Sequence, residues 1–137
     1  MLTIDSSVWI DFFRGNDTPQ VQMLSEVLQD NEEQVILLDL VLMEVLRGFK
    51  YDHEWRLARE ALAPLPVAIT GGENMALYAA TMYRQLRQQG ITVRSAIDLM
   101  VGAWCIENEM PLLHADRDFG GMEAYHGLTA FQPFDDT

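Results

Sequence analysis

The chain has 137 residues, 49% of them hydrophobic, and 21 acidic against 9 basic side chains give a formal net charge of −12. That size suits one ordinary domain with a substantial core, and the longest apolar run, 99–106, is too short to cross a bilayer. Non-specific nucleic-acid binding is disfavoured, because it depends on Lys and Arg neutralising phosphates. Setting aside five candidate site acids still leaves a balance of about −7. A polyanionic substrate would therefore need bound cations or a local Arg cluster, while the acidic surface suits a basic protein partner.

Leu2-Thr3-Ile4 reads as a short strand with no basic leader or cleavage site before it, which predicts a soluble, cytoplasmic chain with no membrane association. Asp5 follows at a strand-to-helix junction. Ser6-Ser7 then starts a helix through Val8, Trp9, Ile10, Phe12 and Phe13 that stops at Gly15. Thr18-Pro19 opens a second helix carrying Val21, Leu24 and Leu28, and the continuous apolar run Val35-Ile36-Leu37-Leu38 is of buried-strand type. Asp39 is placed to cap a helix over 40–47 that is apolar except for Glu44 and Arg47 and ends at Gly48.

A helix is expected over 52–63, broken by Pro64-Leu65-Pro66, then a third strand at Val67-Ala68-Ile69. Gly71-Gly72 turns into a helix whose Met75, Ala79, Met82, Tyr83 and Leu86 follow the helical stripe as far as Gly90. Ser95 precedes a helix over 96–107 that is apolar nearly all round and carries Asp98 in its first turn. It reads as a central buried helix. The lone Cys105 lies within it and reads as a small core residue. Leu112-Leu113 is a last buried strand running into His114-Ala115-Asp116-Arg117-Asp118-Phe119. An edge strand over 128–131 and a polar tail over 131–137 complete the chain. Strands alternating with helices predict a single α/β domain, 1–137, around a parallel sheet of four or five strands.

Four acids recur at comparable places: Asp5 after the first strand, Glu44 one helical turn beyond the second, Asp98 opening the buried helix and Asp116 after the last strand. In an open parallel sheet, ligands bind at the carboxyl ends of strands, so these acids can converge. Carboxylates within a few ångströms of one another repel unless a cation neutralises them. Each also has a plainer use. Asp5 can cap the first helix in competition with Ser6 or Ser7, and Asp98 fits a capping box with Ser95. Asp118 can cap a short helix from Phe119 or pair with Arg117. Glu44, between Met43 and Val45, needs a cation or a partner such as Arg47. An all-oxygen ligand set without ordered Cys or His favours Mg²⁺ or Mn²⁺. Arg14, Arg47, Arg94 and Arg117 are candidates for phosphate contact, each more readily an ion-pair partner on so acidic a chain.

The strand-Asp5-Ser6-Ser7-Val8-Trp9-Ile10-Asp11 start, Glu44-Val45-Leu46-Arg47-Gly48, Asp98 in an apolar helix and Leu112 to Phe119 together resemble the PIN domains, and among them the VapC toxins of bacterial toxin–antitoxin modules. The resemblance spans nearly the whole chain and implies a three-layer α/β/α fold. It implies a metal-dependent endoribonuclease in which Asp5, Glu44, Asp98 and Asp116 hold Mg²⁺ or Mn²⁺ as the catalytic acids, with Asp118 as a further ligand; beside them, Ser6 and Ser95 as hydroxyls and Arg94 and Arg117 as phosphate contacts are read from the residues themselves as supporting side chains. It also implies an RNA substrate, a homodimer and a basic VapB-like antitoxin that occludes the site. His114 departs from the small hydroxyl residue many relatives carry near there. Two rivals stand beside this reading: a Mg-dependent phosphatase-like hydrolase with Asp5 as nucleophile, which would want a Lys where the chain offers only Lys50, and a non-catalytic PIN-fold binding module.

Overall fold

The computed structural model describes residues 1–131; positions 132–137, and with them nearly all of the expected polar tail, lie outside the described residues. Four strands, β1 (Leu2–Ile4), β2 (Val35–Leu38), β3 (Val67–Ala68) and β4 (Leu112–Leu113), form a parallel sheet in the order β3-β2-β1-β4. The register sets Thr3 beside both Ile36 and Leu112, and Leu37 beside Val67. Every residue of β1 is buried, which requires helices on both faces of the sheet. Thr3 meets the cost of burying a hydroxyl by donating to the Ile36 carbonyl at 2.6 Å.

The crossovers are helical: α1 (Ser6–Arg14) and α2 (Pro19–Gln29) between β1 and β2, α3 (Asp39–Arg47) and α4 (Asp52–Leu62) before β3, then α5 (Glu73–Gln88) and α6 (Ala96–Glu107) before β4. A 3₁₀ turn, Arg117–Phe119, leads into α7 (Gly120–His126). Gly15 ends α1 in the left-handed conformation, with φ at 74°, as its place after the last apolar residue predicted. Thr18 caps α2 through Val21 N.

Helix α6 is the central one. Val101, Gly102, Ala103 and Cys105 are all buried, and burial pushes the Cys105 thiol up to about 12, so it stays an inert core group. Gly102 lets α7 approach: a Cβ there would lie 2.2 Å from Met122 Sδ. None of the helices among the described residues is long and apolar enough to cross a membrane.

Three local expectations are corrected. Asp39 does not cap α3; the cap position is Leu38, and Asp39 Oδ1 instead accepts from Leu40 N at 2.8 Å, Thr70 N at 3.1 Å and Thr70 Oγ1 at 2.6 Å, tying α3 to the loop after β3. The third strand is only Val67–Ala68, and Ile69 is 78% exposed. The expected edge strand over 128–131 reduces to one parallel bridge, Leu112 to Ala130.

Chain order β1, β2, β3 runs outward in one direction and β4 returns to the other side of β1. The connection therefore reverses between β1 and β4. At such a reversal the flanking helices diverge and leave a crevice at the carboxyl ends of the strands. Asp5 and the turn containing Asp116 emerge there.

Candidate metal centre

Asp5 is the N-cap of α1: its Oδ2 accepts from Ser7 N at 3.1 Å. The residue is 1% exposed, and Oδ1 has no hydrogen-bond partner. The capping and ligating readings of Asp5 are thus compatible, one oxygen for each. Burial raises the Asp5 carboxyl above its ordinary range, against the opposing hydrogen bonds from Ser7.

Neither serine caps the helix. Ser6 Oγ donates to Glu44 Oε1 at 3.0 Å, which fixes the end of a flexible side chain on α3, and Ser7 Oγ accepts from Ala115 N at 3.2 Å, tying α1 to the segment after β4. Glu44 is only loosely paired with Arg47, 3.9 Å away, and burial with the nearby Asp5 charge raises its carboxyl.

Ser95 caps α6 by accepting from Asp98 N at 3.3 Å, but the return arm of the expected capping box, from the Ser95 amide to the Asp98 carboxylate, is not formed. Asp98 is therefore left to face other acids. Burial, reinforced by Asp5, Asp116, Glu44 and Asp118, pushes its carboxyl up to about 7. Asp116 caps the 3₁₀ turn, with Oδ1 accepting from Asp118 N at 2.9 Å. Asp118 itself takes neither role expected for it: Phe119 precedes α7 without a side-chain cap, and no ion pair with Arg117 forms.

Oxygens of Asp5, Glu44 and Asp98 lie within 4.8 Å of one another, as do those of Asp98, Asp116 and Asp118, so all five expected acids join two groups that share Asp98. Each group would offer three carboxylate oxygens, close enough together to be gathered by one small, hard divalent cation. The fit rests further on the buried, unpartnered Asp5 Oδ1. An ionised oxygen without a donor is a costly thing to bury, and a cation is the partner this donor set suits.

The sequence did not announce Glu123. It sits on α7 and meets His114 Nε2 at 2.5 Å, while His114 Nδ1 accepts from Asp116 N at 3.3 Å and the ring packs on Phe119. An amide received at Nδ1 fixes the Nε2–H tautomer, so His114 holds the Asp116 backbone where a smaller hydroxyl side chain would not reach α7. No spacing in the sequence signals this pair.

The PIN domain profile matches residues 2–124. The chain belongs to the PIN-domain family. This PIN domain is 27% identical over 119 residues to ribonuclease VapC11 of Mycobacterium tuberculosis, spanning 87% of this chain and 89% of that relative. Among solved structures its fold resembles VapBC2 from Rickettsia felis bound to a promoter DNA fragment, with a TM-score of 0.72 at 13% identity over 95% of this chain and 96% of the other. It also resembles a toxin–antitoxin complex from Klebsiella pneumoniae, at 0.66 and 15% identity over 95% and 97%.

The expectation that the arginines are each ion-paired is the one this PIN domain most clearly departs from. Only Arg47 has an acidic partner among the described residues.

Proposed function

We propose that this PIN domain is a metal-dependent endoribonuclease toxin. The observation that carries this reading is the pair of three-carboxylate groups sharing Asp98 beside an Asp5 oxygen that has no other partner. Asp5, Glu44, Asp98 and Asp116 would hold the ion, with Asp118 as a further ligand. The all-oxygen donor set favours Mg²⁺ or Mn²⁺. When bound, such an ion supplies a water of lowered pKa and neutralises charge developing on the phosphate.

The protein's own groups then have separate roles. The α1 amide holds Asp5 Oδ2, Ser6 holds Glu44, Ser95 holds the first turn of α6 and His114 holds the Asp116 backbone. A side-chain nucleophile is not needed, and the Ser6, Ser7 and Ser95 hydroxyls near the acids are already engaged. Lys50 does not serve the acids as a phosphatase would require. It lies 5.5 Å from the Tyr51 ring and lines a groove with Phe13 and Phe49.

The charge of −12 supports a basic antitoxin as partner, and exposed Val67, Ile69 and Leu77 supply apolar surface for a homodimer. We place the protein in the cytoplasm, as one domain over 1–137. The deciding experiment is cleavage of bulk RNA by the purified chain with Mg²⁺ or Mn²⁺, suppressed by a chelator and by Asp98→Asn in a folded protein. Cutting that survives both would overturn the proposal.

A further inference from the structure

Beside the acids lies a cleft of about 510 Å³ lined by Ile91, Thr92, Arg94, Asp116, Arg117 and Asp118. Two of its six residues belong to the acid groups and two are arginines. On a chain with 21 acids and 9 bases, an arginine next to carboxylates ordinarily pairs with them. Arg94 and Arg117 do not: both are exposed, and neither makes an ion pair or a side-chain hydrogen bond among the described residues. They are free cations at the rim of an anionic centre.

We propose that Arg94 and Arg117 hold phosphates of the RNA strand that flank the bond to be cut, and so act as positioning residues. The inference rests on the nuclease reading above and adds the route by which a polyanion approaches an acidic protein. Both arginines are tied to the acids by short stretches of chain. Arg94 immediately precedes Ser95, the cap of the helix that carries Asp98, and Arg117 stands between Asp116 and Asp118 in the 3₁₀ turn. A phosphate seated on either guanidinium is thereby registered against the carboxylates. A planar guanidinium also grips phosphate through two parallel N–H donors, which fixes orientation as well as charge.

Charge explains why the seat is local. Within the cleft the two arginines balance Asp116 and Asp118, so neutralising the acids leaves a positive wall while the rest of the surface stays repulsive. Thr92 on the same wall accepts from Arg87 Nη1 at 2.5 Å, which adds a third cation on the α5 side. RNA should therefore bind here only once the acids are neutralised.

The test is binding of a short fluorescent single-stranded RNA with phosphorothioate linkages, followed by anisotropy across a salt series in Ca²⁺. Each phosphate contact in a single strand contributes about −0.7 to the slope of log affinity against log salt. Arg94→Met and Arg117→Met should each flatten the slope by about that amount and weaken binding roughly tenfold, while Arg94→Lys and Arg117→Lys keep the slope. Calorimetric Mg²⁺ affinity should be kept in the Lys variants and be no weaker in the Met variants, since none of them removes a carboxylate and the Met variants remove a positive charge beside the acids. Met variants that bind with the wild-type slope and affinity overturn the arginine assignment alone, provided the wild type binds and cleaves. A wild type that neither binds nor cleaves RNA with divalent ions present overturns the nuclease reading and this inference together.

Discussion

Asp5 and Asp39 occupy equivalent places in the fold and have opposite fates. Each is the first residue after a parallel strand, the strands are neighbours, and a helix begins at or directly after each acid. Burial pushes the Asp39 carboxyl up, but the hydroxyl and amide of Thr70 and the amide of Leu40 outweigh it and hold the group below its ordinary range. Asp5 receives one amide on Oδ2, none on Oδ1, and is raised. Position at a strand end therefore does not make an acid a ligand. What separates the two is how deeply the carboxylate is buried and whether its neighbours supply donors enough to satisfy it. Where it does, the acid is a structural latch; where it does not, the protein has left coordination capacity open.

The largest effect that would sharpen this contrast is on turnover. Asp98→Asn, which removes the acid common to both groups, should cost about three orders of magnitude in RNA cleavage, a loss of the size seen when a preorganised electrostatic group is deleted. Steady-state assays with matched far-UV spectra check it. Asp39→Asn should do the reverse, sparing cleavage while lowering stability by about 2 kcal/mol, since a charge-assisted latch to Thr70 is lost. Urea unfolding measures that. If Asp39→Asn were to abolish metal binding, the distinction between latch and ligand would fail.

The pH dependence of metal-free stability has opposite signs for the two acids. Asp98, raised to about 7, contributes stability that is fully present below the unfolded value near 3.8 and is lost as pH rises through about 7. Asp39, lowered, contributes stability present above 3.8 and lost as pH falls through its depressed folded value. Thermal melts of the metal-free chain should therefore fall between pH 5 and 7. Mg²⁺ should abolish the fall, because ion binding requires the ionised acids. Asp98→Asn should flatten the metal-free profile and raise the melting temperature at pH 7 relative to the wild type. The smallest effect expected is from Ser6→Ala, which frees the end of Glu44 and should weaken Mg²⁺ about tenfold by calorimetry with little change in melting temperature.

Much of the framework could be read from local patterns. The Leu2–Ile4 and Val35–Leu38 strands, the Gly15 stop, the Thr18 cap and the stripe on α5 are all short-range matters of burial period and backbone preference. The acids themselves were also legible, since Asp98 and Glu44 lie in apolar helices where an ionised group demands an explanation. The latch at Asp39 is invisible in the sequence because its partner, Thr70, lies 31 residues away and a helix-start acid looks the same with or without it. The unpaired arginines are hidden for a related reason. Composition makes ion pairing the ordinary expectation, and only the folded chain shows Arg94 and Arg117 left out of it.

By itself the sequence determined where most of the strands and helices lie and which acids sit where a charge is hard to bury, because both follow from residues within a turn or two of each other. Tertiary structure decided which carboxylates go unsatisfied. Hydrogen-bond donors reach a carboxylate from distant segments, as Thr70 reaches Asp39 and as Ser6 reaches Glu44 across 38 residues, and no local rule specifies those meetings. The reversal of strand order between β1 and β4 brings Asp5 and Asp116 to one crevice, and that reversal is a property of how the chain packs.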